Sequence, residues 1–374
     1  MNREQNKAVA LERSVAELLG HLDGAGKEFY IGIDLGNRKS VCHFLNEGGQ
    51  AVGELTIPTD RESFTAYFRA IPKSAIALEV GTASGWVSEL LQELGHDVVV
   101  ANARKLRAIW TNRRKNDETD AEMLARLLRA DRKLLSPIRH RSREAREELT
   151  LLRARNTLVS ARTQLINSAR GLARAHGVKL TLCSAEAFPQ RVVVEIPERL
   201  GPTLMPLVES VRDLTLRIKK YDREISGLAK KYPETGALRQ VAGVGALVSV
   251  AYRLTIDKPD RFRKSREVGP YLGLVPRQDD SGDLSPQLRI TKTGDKMMRQ
   301  LLVTSAHYIL SSRGPDTDLK RHGLAIAERG GKNAKKRAVV AVARKLGVLL
   351  HRLWVTGEEY EPLRNSRRTG TAAA

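Results

Sequence analysis

The sequence predicts an α/β domain with a mixed sheet, then a helical coiled-coil region, then a mainly helical carboxyl-terminal domain. Three features support this prediction. Short apolar runs begin at Phe29 and alternate with segments of helical spacing as far as Ala101. Leucines recur at every seventh residue from Leu151. From Leu238 onward, helical segments are joined by a loop rich in Gly, Asp, Ser and Pro.

Five segments follow from these patterns along the chain. At 374 residues the protein is too long for one small core, so several domains are expected. The last residues are polar and small, a composition that cannot bury a core. We predict an amino-terminal helix over 1–27, an α/β domain over 28–140, a helical coiled-coil region over 141–231, a carboxyl-terminal domain over 232–356 and a disordered tail over 357–374.

Within the α/β domain, a hairpin precedes strands that alternate with helices. The predicted hairpin joins Phe29–Gly36 to Ser40–Leu45, and a third strand covers Val52–Ile57. This order predicts a sheet with both antiparallel and parallel pairs. The remaining predicted elements are a helix over Asp60–Ile71 with Asp60 as its N-cap, a strand over Ser74–Val80, a helix over Gly85–Leu94 and a strand over Asp97–Ala101.

Two heptad runs define the coiled-coil region. Sustained spacing of three and four residues predicts either a coiled coil or a paired helical hairpin. The first run has Leu151, Leu158, Leu165 and Leu172 at one seam position and Ala154, Ala161, Ser168 and Ala175 at the other. The second consists of Leu207, Val211, Leu214, Ile218, Tyr221, Ile225 and Leu228.

The balance of charge favours a polyanionic partner. The chain has 64 Lys and Arg against 43 Asp and Glu, a formal net charge of +21. Such a charge favours nucleic acid or an anionic membrane. No apolar run is long enough to span a membrane, and no signal peptide is recognisable. Only Cys42 and Cys183 are present, which excludes a disulfide framework. We therefore expect a cytoplasmic, nucleoid-associated protein that binds nucleic acid.

Four acidic residues stand out by their positions. Asp34 and Glu79 interrupt otherwise apolar predicted strands, where an unpaired charge is costly unless something binds it. Asp117 and Asp120 are three residues apart at the start of a predicted helix and so share one face. Crowded carboxylates repel one another, and a hard divalent cation such as Mg²⁺ relieves that repulsion. The pattern predicts a Mg²⁺ site that acts on a nucleic-acid backbone.

Simpler explanations exist for the same acids. Asp117 or Asp120 alone is typical of a helix N-cap or first turn, and Asp34 alone is consistent with a strand end. The run Ile31–Gly36 also resembles the phosphate-binding hairpin of the actin, Hsp70 and sugar-kinase ATPases. That fold needs two further glycine-rich loops, of which Val80–Thr82 is at best a fragment. Neither explanation accounts for both strand acids together with the net charge.

Two features of the carboxyl-terminal domain suggest contact with DNA. Leu238–Ser249 has the form of a helix-hairpin-helix element, whose turn glycines, Gly243 and Gly245, allow backbone amides to approach a phosphate. The loop Pro276–Pro286 contains Ser281, a candidate nucleophile for a phosphodiester. The basic residues that flank it are Arg277, Arg289 and Lys292. On its own, each feature also fits an ordinary turn.

Five motifs follow one another along the chain: Tyr30–Asp34, Leu78–Thr82, Lys115–Ala121, Val241–Gly245 and Leu274–Gly282. In this order they resemble the DEDD transposases of bacterial insertion sequences of the 110 and 1111 groups, and the related pilin-gene invertases. The resemblance covers about Phe29 to Trp354. Its most specific element is the Asp-x-x-Asp-Ala sequence at Asp117–Ala121, placed after the other two acids.

The resemblance implies a fold and a mechanism. It implies a RuvC-like (RNase H-like) domain over 28–140 whose acids Asp34, Glu79, Asp117 and Asp120 bind Mg²⁺. It implies a coiled coil that mediates dimerisation, and a carboxyl-terminal transposase domain whose serine, matching Ser281, joins covalently to DNA. It also implies a structured bridge RNA that pairs with donor and target DNA, and a homo-oligomer, dimer or tetramer, with shared active sites.

The expected function is therefore that of a transposase or DNA recombinase using Mg²⁺-assisted attack by Ser281 on a phosphodiester. One alternative is a RuvC-like nuclease or Holliday-junction resolvase, in which the same acids activate water. A second alternative is a non-catalytic nucleic-acid-binding protein, which leaves Asp34 and Glu79 unexplained.

Overall fold

A computed structural model of the chain describes residues 29–106, 117–279 and 288–366, together with the single positions Gly20 and Pro286. The chain divides into two compact units, residues 1–140 and 141–374. The helix predicted over 1–27 lies outside the described residues except for Gly20, and Ser281 also lies outside them.

A five-stranded mixed sheet forms the centre of the first unit. Its strand order is β3-β2-β1-β4-β5. The β1–β2 and β2–β3 pairs are antiparallel, whereas the β1–β4 and β4–β5 pairs are parallel. The mixed α/β sheet predicted from the sequence is thereby confirmed. The strands are β1 (Tyr30–Leu35), β2 (Lys39–Leu45), β3 (Ala51–Pro58), β4 (Ala75–Glu79) and β5 (Asp97–Ala101).

Helices cover both faces of this sheet. They are α1 (Arg61–Ala70), α2 (Ser84–Glu93) and α3 (Asp117–Ala130), followed by a 3₁₀ turn over Arg132–Leu135. Asp60 is the N-cap of α1, as predicted, and its Oδ1 accepts from the Ser63 amide at 2.7 Å. Buried side chains of α1 and α2 share a core with Ile31, Ile33 and Leu78. Those of α3 share a separate core with Ala75 and Ala77 on the opposite face.

The second unit is helical. Its helices are α4 (Arg143–Ala175), α5 (Phe188–Val192), α6 (Gly201–Lys231), α7 (Glu234–Leu238), α8 (Ala246–Ile256), α9 (Val268–Tyr271), α10 (Lys296–Leu310), α11 (Asp318–Glu328) and α12 (Ala334–Thr356). Short 3₁₀ turns cover Val193–Glu195, Glu198–Leu200, Pro259–Arg261 and Ser265–Glu267. None of the helices in the described ranges is both long enough and apolar enough to cross a membrane.

The two long helices, α4 and α6, pair within the chain as an antiparallel hairpin. Near one end, the Lys231 ammonium contacts Glu148 at 2.7 Å. Further along, the Arg155 guanidinium contacts Asp222 at 2.6 Å. Because later residues of α4 contact earlier residues of α6, the helices run in opposite directions. The paired helical hairpin was one of the two arrangements that the heptads predicted.

The seam of α4 differs from the predicted one by a single position. Its buried residues include Leu152, Ile166 and Ala173, whereas Leu172 is 45% exposed and the other predicted leucines are half-buried. The buried side of α4 therefore carries both small and large side chains, and the predicted leucines lie beside it. In α6, three residues of the predicted heptad run are buried: Val211, Ile218 and Ile225.

A single core joins the helices of the carboxyl-terminal part. Tyr252 of α8 is fully buried there, and its hydroxyl donates to the Gly347 carbonyl of α12 at 2.6 Å. The disordered tail predicted from residue 357 is wrong over residues 357–366. The Asp318 amide donates to the Pro362 carbonyl at 2.8 Å, and the Asp318 carboxylate accepts from the Asn365 amide at 2.7 Å. These bonds tie the segment to the start of α11.

Candidate active site

Asp34 and Glu79 lie at the carboxyl ends of two neighbouring parallel strands, β1 and β4. The register pairs Ile33 with Leu78, so each acid follows a paired residue at the same edge of the sheet. Ile33 and Leu78 belong to the core on the α1 and α2 side. Because successive residues of a strand point to opposite faces, both acids face the side that α3 covers. Both are partly buried.

Helix α3 packs directly against β1 at Gly32. A Cβ atom at Gly32 would lie 1.9 Å from the Ala121 carbonyl oxygen and 2.6 Å from the Ala125 amide nitrogen. Only glycine leaves room for backbone at that distance. Gly32 and Asp34 are two residues apart in the strand and therefore share a face. The close approach of the helix thus occurs on the face to which Asp34 belongs.

The direction of α3 places its first turn at the acidic edge. Near its other end, the Arg129 side chain donates to the Glu47 carbonyl at 2.9 Å, in the turn between β2 and β3. That turn adjoins the beginning of β1, where Tyr30 pairs with Leu45. The start of α3 therefore lies toward the end of β1. Asp120, which is only 9% exposed, directly precedes the Ala121 contact.

These positions define an acidic edge composed of Asp34, Glu79, Asp117 and Asp120. Asp117 is the first residue of α3 and is exposed. All four donor groups are carboxylates, the oxygen ligands that hard divalent cations prefer. Among the described residues, however, no group of three or more His, Cys, Asp or Glu side chains is close enough together to hold a metal ion. The fold gathers the acids at one edge without a formed ligand cage.

The predicted hairpin glycines occupy the turn between α7 and α8. Gly243 has a φ of 81°, in the left-handed region that favours glycine. Its carbonyl accepts from the Ser305 hydroxyl at 2.8 Å, which fixes the turn on α10. Gly245 is the extended N-cap of α8, and a Cβ there would meet nothing within 4 Å. Gly245 is exposed, whereas the three residues that follow it are partly buried.

The residues flanking Ser281 come from a short antiparallel pairing. The Arg277 amide donates to the Arg289 carbonyl at 3.0 Å, and Pro276 bridges to Ile290. Lys292 follows, with its amide donating to the Gly273 carbonyl at 3.2 Å. Arg277, Arg289 and Lys292 are all exposed. The structure thus holds the two ends of the Ser281 segment together, with the three predicted cations around its base.

A cleft of about 950 Å³ beside this base was not predicted. Besides Arg289 and Lys292, it is lined by basic residues of α12 and of the turn before it. The sequence carries no signal that brings these residues to Arg289 and Lys292, because they are far apart in the chain. The additional lining cations are Arg329, Lys336, Arg337 and Arg344.

Comparisons with known proteins agree with these features. A model of DEDD-type transposases of IS110 elements, described as "Transposase", matches residues 31–176. A second model, described as "Transposase IS116/IS110/IS902 family", matches residues 236–320. The first match contains the acidic edge, and the second contains the turn glycines and the Ser281 segment. Together they cover more than half of the chain.

Individual relatives are similar over most of their length. A putative transposase y4pF/y4sB of Sinorhizobium fredii is 27% identical over 91% of this chain and 87% of its own. The transposase for insertion sequence element IS1111A of Coxiella burnetii is 26% identical over 88% and 90%, respectively. A probable family 20 transposase of Pseudomonas aeruginosa is 28% identical over 84% and 92%. The chain therefore belongs to the IS116/IS110/IS902 family of transposases.

Proposed function

We propose that this transposase cuts and rejoins DNA strands by transesterification during movement of an insertion sequence. Family membership supports a DNA-rearranging activity. The observation that carries the chemical part is the acidic edge. Asp34 and Glu79 share one face of the sheet, and α3 brings Asp120 to that edge through its contact at Gly32.

The cation proposed for the acidic edge is Mg²⁺, with Asp34, Glu79, Asp117 and Asp120 as its ligands. Their donor set, carboxylate oxygens only, fits this ion. When bound, Mg²⁺ polarises the phosphate and stabilises the oxygen that leaves. The strand order β3-β2-β1-β4-β5, with α3 against β1, supports a RuvC-like (RNase H-like) fold for this unit.

The proposed nucleophile is Ser281. Its Oγ forms a bond to the phosphorus of a DNA phosphodiester while the bond from phosphorus to a bridging deoxyribose oxygen breaks. The serine proton is given up, and the departing oxygen takes up a proton to become a free hydroxyl. Because one phosphodiester replaces another, a second strand hydroxyl can reverse the step and rejoin DNA without a nucleotide cofactor. The cations Arg277, Arg289 and Lys292 are suited to the phosphate charge.

DNA backbone contacts are proposed at the turn glycines and at the three cations. Gly245 is the exposed N-cap of α8, and backbone amides at the start of a helix can bind phosphate without reading sequence. Gly243 supports this role by shaping the turn. The net charge of +21 adds a long-range attraction for both DNA and RNA.

A bridge RNA and a homo-oligomer complete the proposed assembly. The net charge is consistent with a structured RNA partner as well as DNA. Support for a dimer or tetramer comes from apolar side chains that the α4–α6 hairpin leaves uncovered, with Leu172 at 45% and Leu216 at 56% exposure. Helical pairs that leave leucines on a flank can bury them against the same flank of another copy.

The nuclease alternative uses the same acids with water in place of Ser281. It predicts cut DNA without a covalent protein–DNA intermediate, so a Ser281→Ala variant separates the two mechanisms. The non-catalytic alternative predicts that substitution of the acids changes neither DNA binding nor DNA rearrangement. It has less support, because it gives no reason for the placement of Asp34 and Glu79 on one face.

Substitution of the acids tests the proposal. Asp34→Asn and Asp120→Asn each remove one charge and keep the shape, and we expect recombination of a donor plasmid carrying the element's own ends to fall at least about a hundredfold. Asp213→Asn, at an exposed position of α6, is the matched control and should keep normal recombination. Normal recombination by both acid variants, with unchanged circular dichroism, would exclude the proposed metal site.

A further inference from the structure

The cleft beside the Ser281 segment concentrates charge of one sign. We call it the basic cleft and define it by its six cationic lining residues: Arg289, Lys292, Arg329, Lys336, Arg337 and Arg344. No Asp or Glu of the described residues lines it. Its remaining lining is mostly apolar, with Leu274, Ile290 and Val340 among the side chains. The six cations repel one another, so an anionic occupant stabilises the cleft.

One wall of the basic cleft is a single face of α12. Asn333, Lys336, Arg337, Val340 and Arg344 recur at intervals of three and four residues and therefore share that face. The opposite face of the helix, including Ala338, Val342 and Leu346, is buried in the core. The core thus fixes the rotation of α12, and with it the direction in which these cations point.

The turn before α12 helps to set this wall. Gly330 and Gly331 both have positive φ, 74° and 90°, and they reverse the chain between α11 and α12. The Arg337 side chain donates to the Gly330 carbonyl at 3.3 Å, which ties the turn to the helix. Arg329, which follows the last residue of α11, therefore lines the same cleft as Lys336.

The spacing of the wall suits a polymer of phosphates better than a single ion. Lys336 and Arg344 are eight residues apart, or about 12 Å along the helix axis. Phosphates of one strand of a DNA duplex advance by about 3.4 Å along the axis, so this wall spans three or four of them. Lys336 and Arg344 are both exposed and can reach a backbone that lies in the cleft.

The second wall connects the cleft to the Ser281 segment. Arg289 and Lys292 line the cleft and also belong to the antiparallel pairing that closes the segment. A strand lying along α12 between these walls passes the base from which the Ser281 segment emerges. His322 of α11 lies near the same charges, since burial, and then Lys345, Arg344 and Arg329, lower its pKa.

We propose that the basic cleft binds the sugar-phosphate backbone of the DNA strand on which the enzyme acts, with Arg329, Lys336 and Arg344 as positioning residues. The identity of that strand rests on the proposed function. Binding in the cleft does not require chemistry and can be measured without it. The contacts are to phosphate, so they hold the strand in register and contribute no sequence preference.

The test is a binding measurement on a double variant, Arg329→Gln with Lys336→Gln. Both residues are exposed, and the ion pairs of the described residues use neither side chain. The matched control is Lys219→Gln with Lys220→Gln, which removes the same charge from exposed positions of α6. Affinity for duplex DNA and for an RNA of equal length is measured by fluorescence anisotropy at several salt concentrations, without divalent cations.

If the cleft binds DNA, the cleft variant loses at least about tenfold in DNA affinity, and the dependence of log affinity on log salt falls by about two. The control pair keeps the wild-type slope. Equal slopes and affinities for the two double variants overturn the assignment, as does a loss confined to RNA. Repeating the measurement in a Ser281→Ala background separates this result from the catalytic proposal. Cleft-dependent binding persists there even if Ser281 is not the nucleophile.

Discussion

Gly32→Ala is the sharpest perturbation of the acidic edge, although it touches none of the acids. The new Cβ would lie 1.9 Å from the Ala121 carbonyl oxygen, where ordinary contact begins at 3.4 Å. Helix α3 must therefore retreat from β1 by about 1.5 Å, because both colliding groups are backbone and cannot rotate away. Overpacking of this kind costs about 3 kcal/mol or more in the free energy of unfolding.

The same movement should impair catalysis in any molecules that remain folded. Asp120 directly precedes Ala121, so it moves away from Asp34 with the helix. A displacement of about 1 Å at a catalytic group can lower activity about a hundredfold. Urea unfolding, with hydrogen exchange of the β1 and β2 amides, measures the stability of the first unit. The plasmid recombination assay measures the loss of activity.

Gly227→Ala is the matched control, because a Cβ at Gly227 of α6 meets nothing within 4 Å. Alanine in an open helix interior should stabilise that helix by up to about 1 kcal/mol. If Gly32→Ala leaves the free energy of unfolding within about 0.5 kcal/mol of wild type, the close packing of α3 on β1 is refuted. The placement of Asp120 at the acidic edge, which depends on that packing, would then be wrong as well.

Two further predictions concern the second unit. Burial, and then the charges of Lys345, Arg344 and Arg329, lower the pKa of His322. Phosphates bound in the basic cleft should offset those charges and raise this pKa, as measured by NMR titration with and without DNA. An unchanged pKa would contradict DNA binding in the basic cleft. Tyr252→Phe removes the hydroxyl that donates to the Gly347 carbonyl and should destabilise the unit by about 1–3 kcal/mol in urea unfolding. Tyr308→Phe, at an exposed position, should change stability by less than about 0.5 kcal/mol, and equal effects of the two substitutions would argue against the buried bond.

The strands, and the positions of Asp34 and Glu79 within them, could be predicted because their signals are local. Asp34 and Glu79 interrupt apolar runs, and the alternation of those runs fixes the face on which each acid lies. The importance of Gly32 could not be predicted, since it depends on a helix about ninety residues later in the chain. Within the strand pattern, Gly32 looks like any small residue.

The incorrect and the missing sequence predictions both concern contacts between residues that are far apart in the chain. In α4, apolar residues recur at every seventh residue both from Leu151 and from Leu152. Only the packing of other helices against α4 determines that Leu152 is the buried one. The segment 357–366 looks disordered by composition, but Asp318 holds it through the Asn365 amide. The two walls of the basic cleft, one on α12 and one at Arg289 and Lys292, come from different parts of the chain, so the cleft could not be predicted.

The proposed mechanism is tested most directly by identifying the residue that becomes covalently joined to DNA. Wild-type protein is incubated with substrate DNA and Mg²⁺, denatured, and digested with nuclease and protease, and the peptides are examined by mass spectrometry. We predict a nucleotide remnant on the peptide containing Ser281, at that hydroxyl, and no remnant with Ser281→Ala or Asp34→Asn. An adduct on another residue, or rejoined DNA formed by Ser281→Ala at the wild-type rate, would contradict the proposed mechanism.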